Sequence, residues 1–218
     1  LAAETGQSPA TVYRILVTLE GRGLVEFDAD DQVWHIGPRA FVIGARFLRR
    51  TSLVERARPV LRRLMETTGE TANLGVDRGG KVLFLSQVET HENIRAFFPP
   101  GTLSSMHASG IGKTLLAQMD EDRFLRWLQE HPSERFTEHT LTGRRALQAA
   151  MAEIRARGYA IDEQEKNLGM RCIAAPVFDV NREAIAGISI SGPISRMATA
   201  AMPDLAQAVI LAARELTG

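Results

Sequence analysis

The chain has 218 residues, 44% of them hydrophobic and 24% charged, an ordinary balance for a globular protein with room for one medium and one small domain. Its 26 basic and 26 acidic residues cancel, which excludes a global affinity for polyanions. The single cysteine, Cys172, excludes an intrachain disulfide framework and fits a reducing, cytoplasmic setting. No apolar run approaches a membrane span, and no signal-peptide pattern is present.

Leu1–Thr5 forms a short helical segment that Gly6 breaks. Ser8 is a good N-cap, and Pro9 follows at the first helical position, where its missing N–H costs nothing. Val12, Ile15, Leu16 and Leu19 fall at offsets 0, 3, 4 and 7, one apolar face expected to point inward. Gly23 ends the helix. Leu24–Phe27 and Val33–Ile36 are strand-like runs around Asp28-Ala29-Asp30-Asp31, a hairpin of the kind that makes a wing. Opposite the apolar face stand Ala10, Thr11, Tyr13, Arg14 and Thr18, with Ser8 at the helix start. Short polar side chains and Arg suit base edges and phosphates. The stretch reads as the back half of a winged helix-turn-helix, its first helix missing from the sequence given. Residues 1–50 hold six Arg against six acidic residues, and the hairpin tip is acidic, so no basic excess supports the reading.

Arg39–Arg50 reads as a linker helix with Phe41, Gly44, Ala45 and Leu48 along one stripe, for intrachain packing or a dimer contact. Thr51-Ser52 opens a new segment. Leu53, Ala57, Val60, Leu61 and Leu64 mark a helix to Thr68, bent or restarted at Pro59. Ala72, Leu74 and Val76 alternate, Val82–Leu85 is a buried run, and Ile94, Ala96 and Phe98 alternate before Pro99-Pro100-Gly101. His107–Gln118 and Asp120–Glu130 read as helices, and Thr142 caps a third that ends at Gly158. Tyr159–Ile161, Cys172–Phe178 and Ala184–Ser191 are strands, and Leu205, Val209, Ala212 and Leu216 define a closing helix. The pattern predicts an α+β chain: a winged-helix unit over 1–38, a linker helix over 39–51, and a domain over 52–218 built on an antiparallel sheet.

Ala184–Ser191 places Ala186, Ile188 and Ile190 on one face and Gly187, Ser189 and Ser191 on the other. The two hydroxyls face solvent on a one-sided sheet, or they line a pocket with polar partners. On the neighbouring strand Cys172, Ala174 and Pro176 form a face of small side chains with room for a ligand. No His–Asp pairing stands near Cys172, so it reads as a small core residue rather than a nucleophile, and no catalytic residue is expected. His107-Ala108-Ser109-Gly110-Ile111-Gly112-Lys113 lacks the spacing of a phosphate loop, which excludes nucleotide hydrolysis. Its free backbone N–H groups suit a single small carboxylate, or its glycines serve only close packing. The five histidines, His35, His91, His107, His131 and His139, show no paired ligand spacing, so neither metal nor cofactor is expected. Asp162-Glu163-Gln164-Glu165 reads as a solvated loop. Asp162, directly after a strand, is the member best placed to reach a pocket.

Several motifs join these features in order along nearly the whole chain. They include Leu1-Ala2-Ala3-Glu4-Thr5-Gly6, Thr11-Val12-Tyr13-Arg14-Ile15-Leu16, Ile36-Gly37-Pro38, Gly69-Glu70-Thr71, His107-Ala108-Ser109-Gly110, Arg157-Gly158-Tyr159 and Ser189-Ile190-Ser191-Gly192-Pro193. Together the chain resembles the IclR family of bacterial transcriptional regulators. The resemblance implies a winged helix-turn-helix that binds operator DNA, a linker helix and a GAF-like effector domain, in a homodimer or dimer of dimers. Leu168–Ala174 and Ile188–Gly192 are most similar to the glyoxylate-responsive, allantoin-pathway branch. Carried over by motif, that branch's pocket falls on Gly110, Ile111, Asp162, Cys172, Ser189 and Ser191. Ile111 replaces a smaller residue there, so only a contact made by its backbone N–H carries over unchanged. The implied protein is a cytoplasmic regulator, not an enzyme, that senses a small 2-oxo acid, glyoxylate first. The Gly110 and Ile111 amides would hold the carboxylate, the serines would donate to it or to the keto oxygen, and Asp162 would accept from the hydrated aldehyde. The alternatives are a family member tuned to pyruvate or an aromatic acid, and an enzyme with Cys172 as nucleophile.

Overall fold

The computed structural model describes residues 1–50 and 52–217. The expected domain ends at Thr51 and Gly218, and the side chains of Leu48 on the linker stripe and of Arg49 and Arg50, lie outside the described residues. The chain divides into two compact units, Leu1–Ser52 and Leu53–Gly218.

In the first unit α1 (Ala2–Thr5) ends at Gly6, whose φ of +64° is a left-handed conformation that glycine adopts without strain. In α2 (Pro9–Glu20) the Ser8 hydroxyl accepts from the Thr11 N–H at 3.2 Å and Pro9 takes the first position, as the sequence predicts. Gly21 caps its C-terminus, ahead of the expected stop at Gly23. Strands β1 (Val25–Asp28) and β2 (Val33–Ile36) pair antiparallel, with Phe27 opposite Trp34. Asp28 Oδ1 accepts from the N–H groups of Asp30 and Asp31 at 2.9 and 3.1 Å, so the acidic tip is organised by its own first carboxylate. Those two bonds hold the Asp28 carboxyl below its ordinary range. Trp34 packs against Phe27 and Tyr13, at centroid distances of 5.0 and 6.5 Å, and fastens the hairpin to α2. The expected inward face is covered unevenly. Val12, Leu16 and Leu19 are half-buried, whereas Ile15 is 50% exposed. Helix α3 (Pro38–Arg50) follows.

Helix α4 (Ser52–Thr68), all but its first residue in the second unit, runs through Pro59 without a restart. The strands of that unit are β3 (Thr71–Arg78), β4 (Lys81–Val88), β5 (Leu103–Ser105), β6 (Ala160–Glu163), β7 (Met170–Phe178) and β8 (Ala184–Pro193). They form one antiparallel sheet in the order β5-β4-β3-β8-β7-β6. The helices are α5 (Gly110–Ala117), α6 (Glu121–Glu130), α7 (Arg144–Arg157) and α8 (Met202–Leu216).

Strand alternation gives the sheet two different faces. Ala72, Leu74, Ile173, Ala175, Val177, Ile188 and Ile190, all buried, form the face that α8 covers. Helix α4 is tied to α8 by Arg56, which donates to the Leu216 carbonyl, and by the Arg63–Glu215 pair. The opposite face carries Asn73, Gly75, Cys172, Ala174, Gly187, Ser189 and Ser191, and α5 lies on it. Outside α5 a second core forms from Phe84, Met106, Leu115, Leu116, Phe124, Trp127, Leu147, Met151 and Ile154.

Four expectations need correction. The helix expected over 107–118 is divided: Met106–Ala108 is a 3-10 turn, and extended Ser109 caps α5 by accepting from the Gly112 N–H. Ile94–Phe98 is irregular rather than a strand. Phe98 turns inward to stack on Phe84 at 4.9 Å, and Pro99 and Pro100 offer no N–H to a ladder. Gly143, not Thr142, stands at the N-cap of α7, and the Thr142 hydroxyl instead accepts from Arg135. The 162–165 stretch is not a solvated loop, because Glu165 is only 4% exposed and pairs with Lys113 of α5.

Ile111 settles on the sheet where the sheet has glycine. A Cβ on Gly187 would stand 2.7 Å from Ile111 Cγ2, and one on Gly75 would stand 3.4 Å from Ile111 Cδ1 and 2.8 Å from Val82 Cγ1. The larger residue at 111 is thus accommodated by the strands beneath it. Gly187→Ala is expected to destabilise the fold by about 1–3 kcal/mol through overpacking. Adding Ile111→Ala should recover part of the loss, read as the coupling in a double-mutant cycle of urea midpoints.

Candidate functional site

The sheet register lines up chemistry that is scattered in sequence. Across β6, β7, β8 and β3 one row runs Asp162, Cys172, Ser191, Thr71. The next row runs Ala160, Ala174, Ser189, Asn73 and, on β4, Gln87. Each partner in a row shares a face with the next, so hydroxyls, a thiol and a carboxyl meet beneath the start of α5. Gly110 sits directly above the small residues of β7: a Cβ there would stand 2.7 Å from Cys172 Sγ and 3.1 Å from Ala174 Cβ.

These elements enclose a chamber with about 20 Å³ of free space, room for a single water. All six residues singled out from the sequence for a ligand, Gly110, Ile111, Asp162, Cys172, Ser189 and Ser191, line it. Ser189 and Ser191 are 1% and 4% exposed, which removes the alternative that they face solvent. Sequence reasoning missed Phe84, Phe98, Ser104, Ser109 and Lys166, which also line the chamber. Phe98, Asp162, Cys172 and Ser191 separate it from an outer recess of about 170 Å³ bounded by Arg95, Phe97, Met170 and Arg171.

Asp162 lies within β6, paired with Cys172, and not directly after the strand as expected, and the turn that follows it and carries Lys166 is held from several sides. Asp162 Oδ1 accepts from the Glu165 N–H at 2.7 Å. The Thr140 and Thr137 hydroxyls donate to the Glu165 and Gln164 carbonyls at 2.6 and 2.7 Å. Lys113 reaches from α5 to the Ile161 carbonyl and the Glu165 carboxylate, so this lysine is a buried fastener and not a phosphate ligand. The signal that could have revealed Lys166 is this turn: an Asp capping the backbone three residues on brings the next side chain back over the strand end.

Burial raises the Asp162 carboxyl to about 6, against the opposing pull of Lys113 and with the added push of Glu165. Burial also pushes the Cys172 thiol up to about 11, aided by the Asp162 charge and opposed by hydrogen bonds with Ser191 and Ser189. A thiol raised in this way is protonated at neutral pH, which argues against the nucleophile alternative. Lys166 is lowered by burial and lies 3.2 Å from the centre of the Phe136 ring. His107 is also lowered by burial. Its Nε2 donates to the Glu134 carbonyl at 2.8 Å and its ring stacks on Phe136, so it supports the chamber wall as a neutral side chain. Among the described residues no cluster of His, Cys, Asp and Glu could hold a metal ion. No helix of the described residues is long and apolar enough to cross a membrane.

In the first unit Ala10, Tyr13, Arg14 and Thr18 are exposed on α2, while Thr11 is half-buried. The Ser8 and Thr11 hydroxyls hydrogen-bond to each other at 2.9 Å, and the Thr18 hydroxyl donates to the Arg14 carbonyl at 2.8 Å. Tyr13, although packed edge-on against Trp34, keeps 61% of its surface free.

Because Asp162 is raised in the folded chain relative to its ordinary 3.8, the folded state binds its proton more tightly than the unfolded state does. Its contribution is therefore intact below pH 4 and lost as pH rises through about 6. Relative to Asp162→Asn, the wild-type chain should lose about 2 kcal/mol of stability between these limits, read from urea midpoints across pH.

Comparison with known proteins bears on both units. Residues 45–217 match the family model described as the bacterial transcriptional regulator IclR C-terminal domain, and residues 1–29 match the IclR helix-turn-helix domain. The chain is 58% identical over 217 residues to the HTH-type transcriptional regulator BhcR of Paracoccus denitrificans, covering all of this chain and 78% of that protein. It is 38% identical to the transcriptional repressor IclR of Escherichia coli, over all of this chain and 80% of the relative. The crystal structure of IclR from Thermotoga maritima superposes with a TM-score of 0.81 at 28% identity, covering 99% of this chain and 87% of that one. These relatives are regulators of transcription and not enzymes. With its helix-turn-helix unit and its α+β effector domain, the chain belongs to the IclR family of DNA-binding transcriptional regulators.

Proposed function

We propose that this regulator senses a small 2-oxo acid, glyoxylate first, in the chamber beneath α5, and that the bound acid alters its grip on operator DNA. The observation that carries the reading is the meeting of Gly110, Ile111, Asp162, Cys172, Ser189 and Ser191 around one buried chamber. The acid's carboxylate sits against the Gly110 and Ile111 amides at the start of α5, where unpaired N–H groups and the helix dipole favour an anion. Ser189 and Ser191 donate to the carboxylate or to the keto oxygen, and Cys172 limits ligand size as a neutral wall.

Size separates the candidates. With about 20 Å³ free, the chamber takes even a two-carbon acid only if a wall side chain yields toward the outer recess. Pyruvate asks for one methyl more, and an aromatic acid asks for the whole wall to move. On DNA, α2 presents Ala10, Tyr13, Arg14 and Thr18, with Ser8 and Thr11 at its start, to base edges and phosphates. Paired recognition helices require a homodimer or dimer of dimers. Phe41 of the linker helix is 77% exposed, which favours the dimer-contact reading of its stripe. The division into a winged-helix unit over 1–38, a linker over 39–51 and an effector domain over 52–218 is part of the same proposal.

Calorimetric titration with glyoxylate and pyruvate, with Ser189→Ala/Ser191→Ala as control, tests the sensor. Saturable glyoxylate binding, weaker pyruvate binding and loss of both in the double variant are expected. Heat that survives in the double variant would remove the chamber from the argument. An electrophoretic shift of the protein's own upstream DNA that ignores glyoxylate would remove the switch. At pH 7 most of Asp162 is ionised, and an arriving carboxylate favours its protonated form. Binding should therefore take up a fraction of a proton, seen as an enthalpy that changes with the buffer's ionisation heat. Asp162→Asn should abolish that dependence.

A further inference from the structure

We propose that Asn73 is an effector contact of the chamber, and that its carboxamide N–H selects an acceptor oxygen over an amine beside Ser189. The inference rests on the 2-oxo acid reading. Asn73 is fully buried in β3. Its Oδ1 accepts from Gln87 Nε2 at 3.0 Å, whereas its Nδ2 has no partner. A buried amide N–H has lost its hydration, and nothing in the unliganded chain replaces it.

The register says what that N–H faces. Strand β3 lies between β4 and β8, and Asn73 stands opposite Gln87 on one side and Ser189 on the other. The chamber is lined by Ser189 and Ser191 from β8 and by Phe84 from β4, the two strands that flank β3, and Asn73 stands between them, beside Ser189 and just outside that lining. Phe84 pairs with Gly75, and Ser191 pairs with Thr71, which brackets Asn73 between these pairs. Gly75 has no side chain, and the Thr71 hydroxyl is engaged by the Thr90 N–H. The Thr71 hydroxyl accepts there and keeps its own O–H, but of these three β3 positions Asn73 is the one with a buried polar atom that has no hydrogen-bond partner at all.

Gln87 decides which end of the carboxamide is offered. With Oδ1 engaged, the free end is an N–H, which can only donate. The serine hydroxyls rotate and either donate or accept, so they do not distinguish an oxygen from a nitrogen at the second carbon. Asn73 does. A keto oxygen, or an oxygen of the hydrated aldehyde, accepts from it, whereas an ammonium group there meets it donor to donor.

The test titrates the full chain with glyoxylate and with glycine, in the wild type, Asn73→Ala and Gln87→Met, alongside thermal unfolding without ligand. The wild type should take glyoxylate and reject glycine. Asn73→Ala should bind glyoxylate about tenfold more weakly, while its unliganded Tm falls only modestly, because loss of the Gln87 bond is partly offset by removal of an unmet donor. Gln87→Met frees the carboxamide to turn and should narrow the preference for glyoxylate over glycine. A sharp fall in Tm with unchanged affinity would assign the Asn73 N–H to a structural water and overturn the proposal. If Asn73→Ala fails to fold, a wild-type preference in Gln87→Met overturns it alone. A wild type that binds neither acid defeats the 2-oxo acid reading and this inference together. Equal glyoxylate affinity in the wild type and both variants defeats only the role of Asn73.

Discussion

Gly187 and Gly75 on the sheet and Gly110 on α5 let that helix settle within van der Waals contact of the strands, and the chamber is what remains between them. A Cβ at Gly110 or Gly187 would meet a neighbouring atom at 2.7 Å, so neither surface can move closer or gain bulk without shifting the other. The same contact brings the first N–H groups of α5 over the polar rows of the sheet. It also explains how Ile111 is tolerated, since its branches fill the space above two glycines and extend the outer core toward Leu115 and Met106. Close packing and candidate site are two consequences of one approach.

The Lys113–Glu165 pair fixes the other end of this arrangement. Both side chains are buried, at 3% and 5% exposure, and such a pair gains little net stability once the desolvation of two charges is counted. Glu165 Oε2 is left without a partner, which makes the pair dearer still. What the pair contributes is position. Lys113 belongs to α5 and Glu165 to the turn after β6, so the helix start and the turn that follows Asp162 and carries Lys166 are held to each other across 52 residues of sequence. Losing one partner would strand a buried charge, at a cost of roughly 3–5 kcal/mol.

Local rules made much of this legible. The cap at Ser8, Pro9 at the first turn and the strand alternation around Ser189 were readable because they depend on neighbours in sequence. The composition of the chamber was readable by motif resemblance. What escaped depends on distant partners. Glu165 looked solvated because no local pattern announces a lysine 52 residues earlier. Lys166 and Phe98 reach the chamber through a turn and an irregular segment that periodicity does not describe. Ile15 met the helical period yet remains half exposed, because periodicity marks an apolar stripe without showing what covers it.

The charges around the chamber give the proposed sensing a physical basis. Lys113 is committed to Glu165 and to the Ile161 carbonyl, and Lys166, which also lines the chamber, feels the charges of Glu134 and Asp162. A small carboxylate entering there cannot be electrostatically silent. It competes with Asp162 for Lys166 and for donors, so that Asp162 takes a proton or the turn yields. A ligand shifts a conformational equilibrium only by its differential affinity for the two states. Because α5 and the turn are fastened by one ion pair, the chamber cannot rearrange on the turn side alone. On the proposed reading, relief at Asp162 would reach α5 through Glu165 and Lys113, which is how a ligand of very few atoms would act on a whole helix.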